Sequence, residues 1–293
     1  MIYLNCHTWY SLRYGTFSPE RLCELAEKNK ADCLAVTDIN NTSACLSFIK
    51  MTEESGFKPL VGIDFRNGVD QQYVGIAGNN KGFAQLNEHL SGHIHVQKKF
   101  EPDAPLLPDC FIIYPYEKVA AQDKTAFREN EFIGVSIENL RKLKFSKYKN
   151  LKDKLVLLQT VSFESRRDYN AHRLLRAIDN NELLSRLPET EQGSYSHRFI
   201  PTETILEEFE DFPHILENTK KLVSRCNVKF GFGRNQNRNL KVYGNSEEED
   251  IKRLRDLCDH NLSRRYPEAS QKVKDRLEKE LASIIKLKFV SYF

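Results

Sequence analysis

The chain has 293 residues, 40% of them hydrophobic, which is enough to bury the core of roughly one large or two medium domains. Its net charge of +3 is too small to indicate nucleic-acid binding, and no apolar run reaches the roughly 18 residues of a membrane span. No signal peptide is visible, and seven scattered cysteines without a CxxC pair predict reduced thiols in a cytoplasmic protein.

The first part of the chain alternates short apolar runs with segments of helical periodicity. The run Ile2-Tyr3-Leu4 predicts a first strand, and Ser18 followed by Pro19 predicts a capped helix start. Further strands are predicted at residues 33–36, 58–63, 72–77, 111–114, 132–135 and 155–158. This alternation predicts an α/β fold with a parallel sheet or barrel covered by helices, and composition does not decide between a closed barrel and an open sheet.

The last part of the chain is predicted to be mainly helical. Residues 231–239 are rich in glycine and asparagine and predict a flexible connector. Ser246 begins a helix with a capping-box pattern. A final helix over residues 272–286 has one apolar stripe, formed by Val273, Leu277, Leu281 and Ile284. We therefore predict two parts, residues 1–235 and residues 236–293.

Two segments are locally basic. Residues 141–154 carry seven basic residues against one aspartate, which fits either a phosphate-contacting strip or a solvated connector, and we favour the connector because charge runs are usually exposed. Arg167, Arg173 and Arg176 fall on one predicted helix. They are candidates for contact with nucleic-acid phosphates or with carboxylates of a neighbouring domain, and a solvated helix face explains them equally well.

Several motifs follow one another in the order of a known family. They include Asn5-Cys6-His7, Thr37-Asp38-Ile39 and Gly62-Ile63-Asp64-Phe65 in the first part of the chain. Ala171-His172 and the terminal run Phe289-Val290-Ser291-Tyr292-Phe293 come later, with Glu217-Asn218-Thr219 and Cys226-Asn227-Val228 between them. Together they resemble the N-terminal polymerase-and-histidinol-phosphatase (PHP) domain of bacterial DNA polymerase III alpha subunits. The resemblance implies a distorted (β/α)7 barrel over residues 1–235, followed by a mainly helical segment that leads into a polymerase domain.

The resemblance also implies a metal-binding pocket in which most ligands are replaced. His7 is retained, and Asp64 stands where the family has a glutamate. The other ligand positions that align carry residues with no imidazole or carboxylate, namely Asn5, Tyr14, Ile39, Gln72, Thr160 and Ser162. Because one imidazole and one carboxylate do not hold a two-metal centre tightly, we expect no metal and no catalytic residue in this chain.

For function, the resemblance implies a part of a DNA-directed DNA polymerase, a nucleotidyltransferase of DNA replication. The Mg²⁺ ions of such a polymerase are held by palm aspartates, which the resemblance places beyond residue 293. This chain is then expected to be an inactive scaffold that docks the remaining polymerase domains and replisome subunits such as a separate proofreading exonuclease, while the full-length protein binds DNA. The alternatives are a residual metal-dependent phosphoesterase or 3′–5′ exonuclease that uses His7 and Asp64, and a free-standing PHP-like binding protein.

Overall fold

A computed structural model describes residues 1–53, 55–232 and 241–293 of the chain. The described residues fall into two units, residues 1–232 and residues 241–293. The predicted boundary between residues 235 and 236 lies outside the described residues, and so does most of the connector predicted at residues 231–239.

The first unit is built on one curled sheet of eight strands. The sheet order is β7-β6-β5-β4-β3-β2-β1-β8, so the last two strands along the chain form its opposite edges. The strands are β1 (Ile2–Cys6), β2 (Cys33–Val36), β3 (Lys58–Asn67), β4 (Asp70–Ala77), β5 (Cys110–Pro115), β6 (Glu131–Val135), β7 (Leu155–Leu157) and β8 (Thr160–Val161). The predicted α/β class with a barrel-type sheet is confirmed, with eight strands where seven were expected.

One strand departs from the predicted parallel arrangement. β4 runs antiparallel to both of its neighbours, β3 and β5, whereas the other pairings are parallel. The connection from β3 to β4 contains only Gly68 and Val69, and Gly68 has a φ of 67°, in the left-handed region that glycine adopts without strain. A connection this short allows only a hairpin, because a parallel crossover needs a dozen or more residues.

Helices cover the sheet and bury its apolar side chains. Ser18 caps α1 as predicted, its side chain accepting a hydrogen bond from Arg21 N. The core includes the fully buried rings of Tyr3, Phe48 and Phe65. The helices of the first unit are α1 (Pro19–Lys28), α2 (Cys45–Met51), α3 (Asn80–His95), α4 (Tyr116–Ala121), α5 (Leu140–Lys144), α6 (Arg166–Asp179), α7 (Thr202–Glu208) and α8 (Pro213–Ser224).

The second unit is helical, as predicted. It contains α9 (Glu247–Arg265) and α10 (Gln271–Lys286), followed by a short 3-10 turn at Val290–Tyr292. Ser246 caps α9 by accepting a hydrogen bond from Glu249 N at 3.2 Å. Within the described ranges, no helix combines the length and the apolarity that crossing a membrane requires.

Candidate functional site

The predicted pocket residues meet at one end of the sheet. Strands β8, β1, β2 and β3 are neighbours and run parallel, so their carboxyl ends share one edge. Asn5 and His7 lie at the end of β1, and Thr160 and Ser162 lie at β8. Asp64 lies in the C-terminal half of β3. The carboxyl ends of parallel strands are the usual location of ligand and catalytic sites in α/β folds.

Asp64 is the centre of the cluster. Its side chain is fully buried, and its Oδ2 atom accepts hydrogen bonds from His7 Nε2 at 2.9 Å, Gln71 Nε2 at 2.8 Å and Asn5 Nδ2 at 3.3 Å. Two further bonds come from Arg66, from Nε at 3.0 Å and from Nη2 at 2.7 Å. The other carboxylate oxygen, Oδ1, is buried and has no hydrogen-bond partner among the described residues.

The charge state of Asp64 follows from these contacts. Burial on its own raises the pKa of this carboxyl, but the charge of Arg66 and the hydrogen bond from His7 outweigh burial and hold the pKa well below its usual range. Asp64 is therefore an anion, and Arg66 is the neighbouring buried cation. The two charges neutralise each other inside the protein.

His7 and Asn5 are fully engaged by neighbours. His7 Nδ1 lies 2.8 Å from Ser162 Oγ, so an imidazole with its hydrogen on Nε2 satisfies both Asp64 and Ser162. Asn5 donates from Nδ2 to Thr160 Oγ1 at 2.9 Å. Its Oδ1 accepts from Thr37 Oγ1 at 2.8 Å. The polar side chains that stand at ligand positions thus bond to each other.

Tyr14 covers the cluster from the loop after β1. Its ring lies 4.9 Å from the guanidinium carbon of Arg66, within the range of a cation–π contact. Its edge meets the ring of His172, whose Nδ1 donates to Tyr14 O over 2.7 Å and whose Nε2 accepts from Gly193 N over 2.8 Å. A Cβ on Gly193 would lie 2.8 Å from Tyr14 Oη and 3.3 Å from His197 Nδ1, so a larger residue there would displace the Tyr14 hydroxyl.

Ile39 and Gln72 are the remaining predicted pocket positions. Ile39 forms a β-bridge with Asp64 and is half-buried, with its backbone N donating to Ser11 Oγ at 3.0 Å. Gln72 does not contact the cluster, because its amide donates to Asp70. The register shifts between Phe65 and Arg66, so that Arg66 pairs with Gln71 and leaves Gln72 as the extra residue. Gln71 is therefore the glutamine that bonds to Asp64, whereas Gln72, predicted at a replaced ligand position, bonds to Asp70.

The arginines of α6 have different environments. Arg167 is exposed, whereas Arg173 donates from Nε to Gln192 Oε1 at 2.8 Å. Arg176 is buried and pairs with Asp179 at 2.6 Å and with Glu191 at 3.0 Å. Arg176 therefore does not lie on a solvated helix face, and its carboxylate partners belong to its own unit and not to a neighbouring domain.

The basic segment 141–154 is partly helical, and three of its seven basic residues form ion pairs. It contains most of α5, and Lys142 pairs with Glu117 at 2.7 Å while Lys144 pairs with Asp211 at 3.2 Å. Lys147 pairs with Asp123. These exposed pairs favour the solvated-segment interpretation over a strip of free cations.

Sequence reasoning missed several members of the cluster, namely Arg66, Gln71, His172 and His197. One signal was available for Arg66: alternate residues of a strand share a face, so a charged residue two positions after Asp64 is expected on the same side. His197 Nδ1 is buried without a hydrogen-bond partner in the described part of the chain, and burial together with the charge of Arg66 lowers the pKa of His197 from 6.5 to about 3. No spacing or motif pointed to His172 and His197 as neighbours of Tyr14.

A metal ion does not fit the residues of this cluster. His7 directs Nε2 at Asp64, and the Oδ2 atom of Asp64 already has five donors. The nearby Asp38 accepts hydrogen bonds from Thr8 and Ser11. Across residues 1–53, 55–232 and 241–293, no group of three or more His, Cys, Asp and Glu side chains is arranged to hold a metal. Metal ligands need free lone pairs directed at the ion, and both ring nitrogens of His7 and the Oδ2 atom of Asp64 are already engaged within the protein. Asp64 Oδ1 is the one carboxylate oxygen of the cluster without a partner among the described residues, and a single oxygen does not make a metal site.

An open cavity of about 500 Å³ adjoins the cluster. Gln71, Thr160 and His197 contribute to its wall next to the cluster, and Asp70 and Lys118 form an ion pair on another part of the wall at 2.8 Å. A cavity of this volume is within the range of small-molecule sites.

Comparison with known proteins shows what this chain is similar to. Residues 4–127 match the family described as the PHP domain. The whole chain is similar to the DNA polymerase III subunit alpha of Halalkalibacterium halodurans, with 27% identity over 323 residues that cover 100% of this chain and 28% of the relative. The corresponding protein of Neisseria meningitidis serogroup A is 24% identical over 339 residues, which cover 99% of this chain and 30% of the relative.

These matches define what the chain is related to. Residues 4–127 match the PHP domain family, and the chain is similar along its length to part of DNA polymerase III alpha subunits. The chain spans under a third of the length of the curated relatives that it matches.

Proposed function

We propose that this chain is the N-terminal part of a DNA polymerase III alpha subunit and that its PHP pocket is a structural element without hydrolytic activity. The second statement rests on the contact between His7, the retained imidazole, and Asp64, which replaces the family's glutamate. His7 Nε2 lies 2.9 Å from Asp64 Oδ2, and both side chains are fully buried. The similarity of the whole chain to alpha subunits supports the first statement.

The full-length protein is then a DNA-directed DNA polymerase of the bacterial cytoplasm. In this proposal its Mg²⁺ ions are held by aspartates of the polymerase domain, outside this chain. The PHP domain serves as a scaffold for the remaining domains of the same polypeptide. It also offers a docking surface to replisome subunits such as a separate proofreading exonuclease.

A residual metal-dependent phosphoesterase or 3′–5′ exonuclease is the competing function. One observation favours it, because the buried Oδ1 atom of Asp64 has no hydrogen-bond partner among the described residues and an unsatisfied carboxylate oxygen attracts cations. Against it, the adjacent Arg66 already supplies the neutralising charge.

The two functions are separated by assaying the full-length protein. Primer extension with Mg²⁺ is expected to be nearly the same for the wild type and for His7→Gln, because the pocket takes no part in nucleotide transfer. Release of phosphate from an aryl phosphate and shortening of a primer 3′ end are expected to be absent with Mg²⁺, Mn²⁺ or Zn²⁺. Hydrolysis that co-purifies with the wild type and disappears in His7→Gln would establish the competing function.

A further inference from the structure

Arg66 is an uncommon residue for the interior of a strand. Its side chain is only 4% exposed, and both Nε and Nη2 point at one oxygen of Asp64. A buried guanidinium is costly unless it is paired and hydrogen-bonded, and in this pocket Asp64 supplies both the opposite charge and the hydrogen-bond acceptor.

The backbone around Arg66 is held as firmly as its side chain. Asn40, which follows β2, accepts a hydrogen bond from Arg66 N at 2.9 Å and donates one to Arg66 O at 2.8 Å. Asn40 itself has a φ of 50°, in the left-handed region where asparagine is tolerated better than most residues. These two bonds lie where the β3–β4 register shifts, and together they fix the point from which the guanidinium enters the pocket.

The surroundings of the guanidinium suit a planar cation. The ring of Tyr14 covers it at 4.9 Å, and the two N–H groups on Asp64 use the fork geometry that arginine has and lysine lacks. Asp64 in turn holds His7, Gln71 and Asn5 through the same oxygen. One cation therefore sets the charge and the geometry of the whole cluster.

We propose that Arg66 is a built-in cation that takes the electrostatic place of a metal ion in this pocket and keeps divalent cations away from Asp64. This inference rests on the proposed metal-free pocket and is independent of the polymerase assignment. Its physical basis is that a fixed positive charge in contact with Asp64 repels a second cation strongly in a buried, weakly screened environment.

Titration of the 293-residue protein with Mn²⁺, followed by the electron paramagnetic resonance of the free ion, tests the proposal. Arg66→Gln removes the charge and keeps an amide donor, so Mn²⁺ affinity is expected to rise at least about tenfold over the wild type. The gain is expected to vanish in Arg66→Gln combined with Asp64→Asn. Arg66→Lys keeps the charge and is expected to bind Mn²⁺ no better than the wild type.

Arg176→Gln is the matched control. Arg176 is also a buried arginine near Tyr14, at 5.9 Å from its ring, but its partners are Asp179 and Glu191. It is expected to leave Mn²⁺ affinity unchanged. A folded Arg66→Gln protein, judged by circular dichroism, that binds no more tightly than the wild type overturns the proposal.

Two further outcomes keep the proposal and the proposed function apart. If Arg66→Gln does not fold, tighter Mn²⁺ binding by a folded Arg66→Lys overturns the proposal, because the charge is still present in that variant, and unchanged binding supports it. Unchanged Mn²⁺ affinity in a folded Arg66→Gln, with no hydrolysis by the wild type, overturns the role of Arg66 alone. Hydrolysis by the wild type that is lost in His7→Gln contradicts the silent-scaffold function as well.

Discussion

Asp64 connects the side chains of the pocket to one another, so the loss of its charge is expected to have a large effect on the stability of the protein. Its Oδ2 atom joins His7, Gln71 and Arg66 within hydrogen-bond distance. When one partner of a buried ion pair is removed, the other is left as an uncompensated charge. The stability of the cluster therefore depends on the pair and not on either residue alone.

A double-mutant cycle on Asp64 and Arg66 measures that dependence. Asp64→Asn alone and Arg66→Met alone are each expected to lower the free energy of unfolding by about 3–5 kcal/mol, because each leaves a buried charge unpaired. The double variant is expected to lose less than the sum. Urea unfolding of the four proteins at pH 7 gives the coupling energy.

The exposed pair Arg255–Glu278 serves as the comparison for that cycle. Its partners are 40% and 59% exposed and lie 2.9 Å apart, so the corresponding coupling is expected to stay below about 1 kcal/mol. Equal coupling energies for the buried and the exposed pair would show that burial does not strengthen the Asp64–Arg66 interaction.

His172 gives a pH dependence at the residue scale. Burial and the nearby charge of Arg176 lower the pKa of His172 from 6.5 to about 4, against the opposing hydrogen bond to Tyr14 O. The folded protein thus binds this proton more weakly than the unfolded chain, and stability falls as the pH decreases from 6.5 to about 4. The contribution of this residue is about 3 kcal/mol over that range.

Replacing His172 with Gln is expected to reduce the slope of the stability profile between pH 7 and about pH 4, and His197 is expected to supply part of the slope that remains. Urea unfolding at several pH values measures the profile, and His95→Gln, at an exposed position at the end of α3, is the control. A His172→Gln protein with the slope of the wild type would contradict the assignment of this proton to His172.

Much of the pocket could be predicted from the sequence, because the ends of the predicted strands and the family motifs both indicate where a side chain lies in the fold. Asn5, His7, Asp64, Thr160 and Ser162 were expected together, and the structure brings them together. Gln71 was missed because the β-bulge moves the register by one residue, which a pattern of alternation does not reveal. His197 was missed because its position depends on a loop that packs back over the sheet from outside the strands.

At the scale of elements, the apolar runs predicted seven of the eight strands, and the pairing was harder to predict. Thr160–Val161 was missed because a strand of two residues has no period. The antiparallel direction of β4 follows from the short turn at Gly68, whose significance depends on knowing where both strands end. The existence of the strands could therefore be predicted from the apolar runs, whereas the direction of β4 depended on a single connection.

Close packing between β6 and its neighbours makes Gly134 sensitive to substitution. A Cβ at this position would lie 2.5 Å from Leu158 Cδ2, 2.6 Å from Leu158 Cβ and 2.8 Å from Ile113 Cγ2. Gly134→Ala is expected to lower the free energy of unfolding by about 1–3 kcal/mol, because the sheet must shift to admit the methyl group.

Gly92, in α3, is the contrasting glycine. Apart from its chain neighbours and the backbone of its own helix, no atom of the described residues lies within 4 Å of a Cβ built there. Alanine is also the better helix former, so Gly92→Ala is expected to stabilise the protein by up to about 1 kcal/mol. Thermal unfolding of both variants should give shifts of opposite sign. A stabilised Gly134→Ala would mean that the packing at β6 is looser than described.

At the scale of the whole molecule, the second unit has more apolar surface than its own helices cover. Leu281 of α10 is buried, but Leu277 and Ile284 of the predicted stripe are only half-buried. Phe289 and Phe293 are 53% and 73% exposed. Leu277 also borders a groove of about 350 Å³ with Leu262 and Tyr266, among others. Apolar surface of this kind is typical of a segment that packs against further protein.

The proposed continuation into a polymerase gives this surface a testable consequence. Leu277→Asp is expected to lower the melting temperature and primer extension of the full-length protein, and to lower the melting temperature of the 293-residue chain by less. The reason is that a half-exposed aspartate stays hydrated in the short chain, whereas burial against a further domain removes that hydration at a cost of several kcal/mol. Ser283→Asp, at an exposed position of the same helix with the same change in charge, is expected to have little effect in either protein. Equal effects of Leu277→Asp in the two proteins would show that the stripe of α10 meets no further domain, and the scaffold role proposed for this chain would then have to lie on another surface.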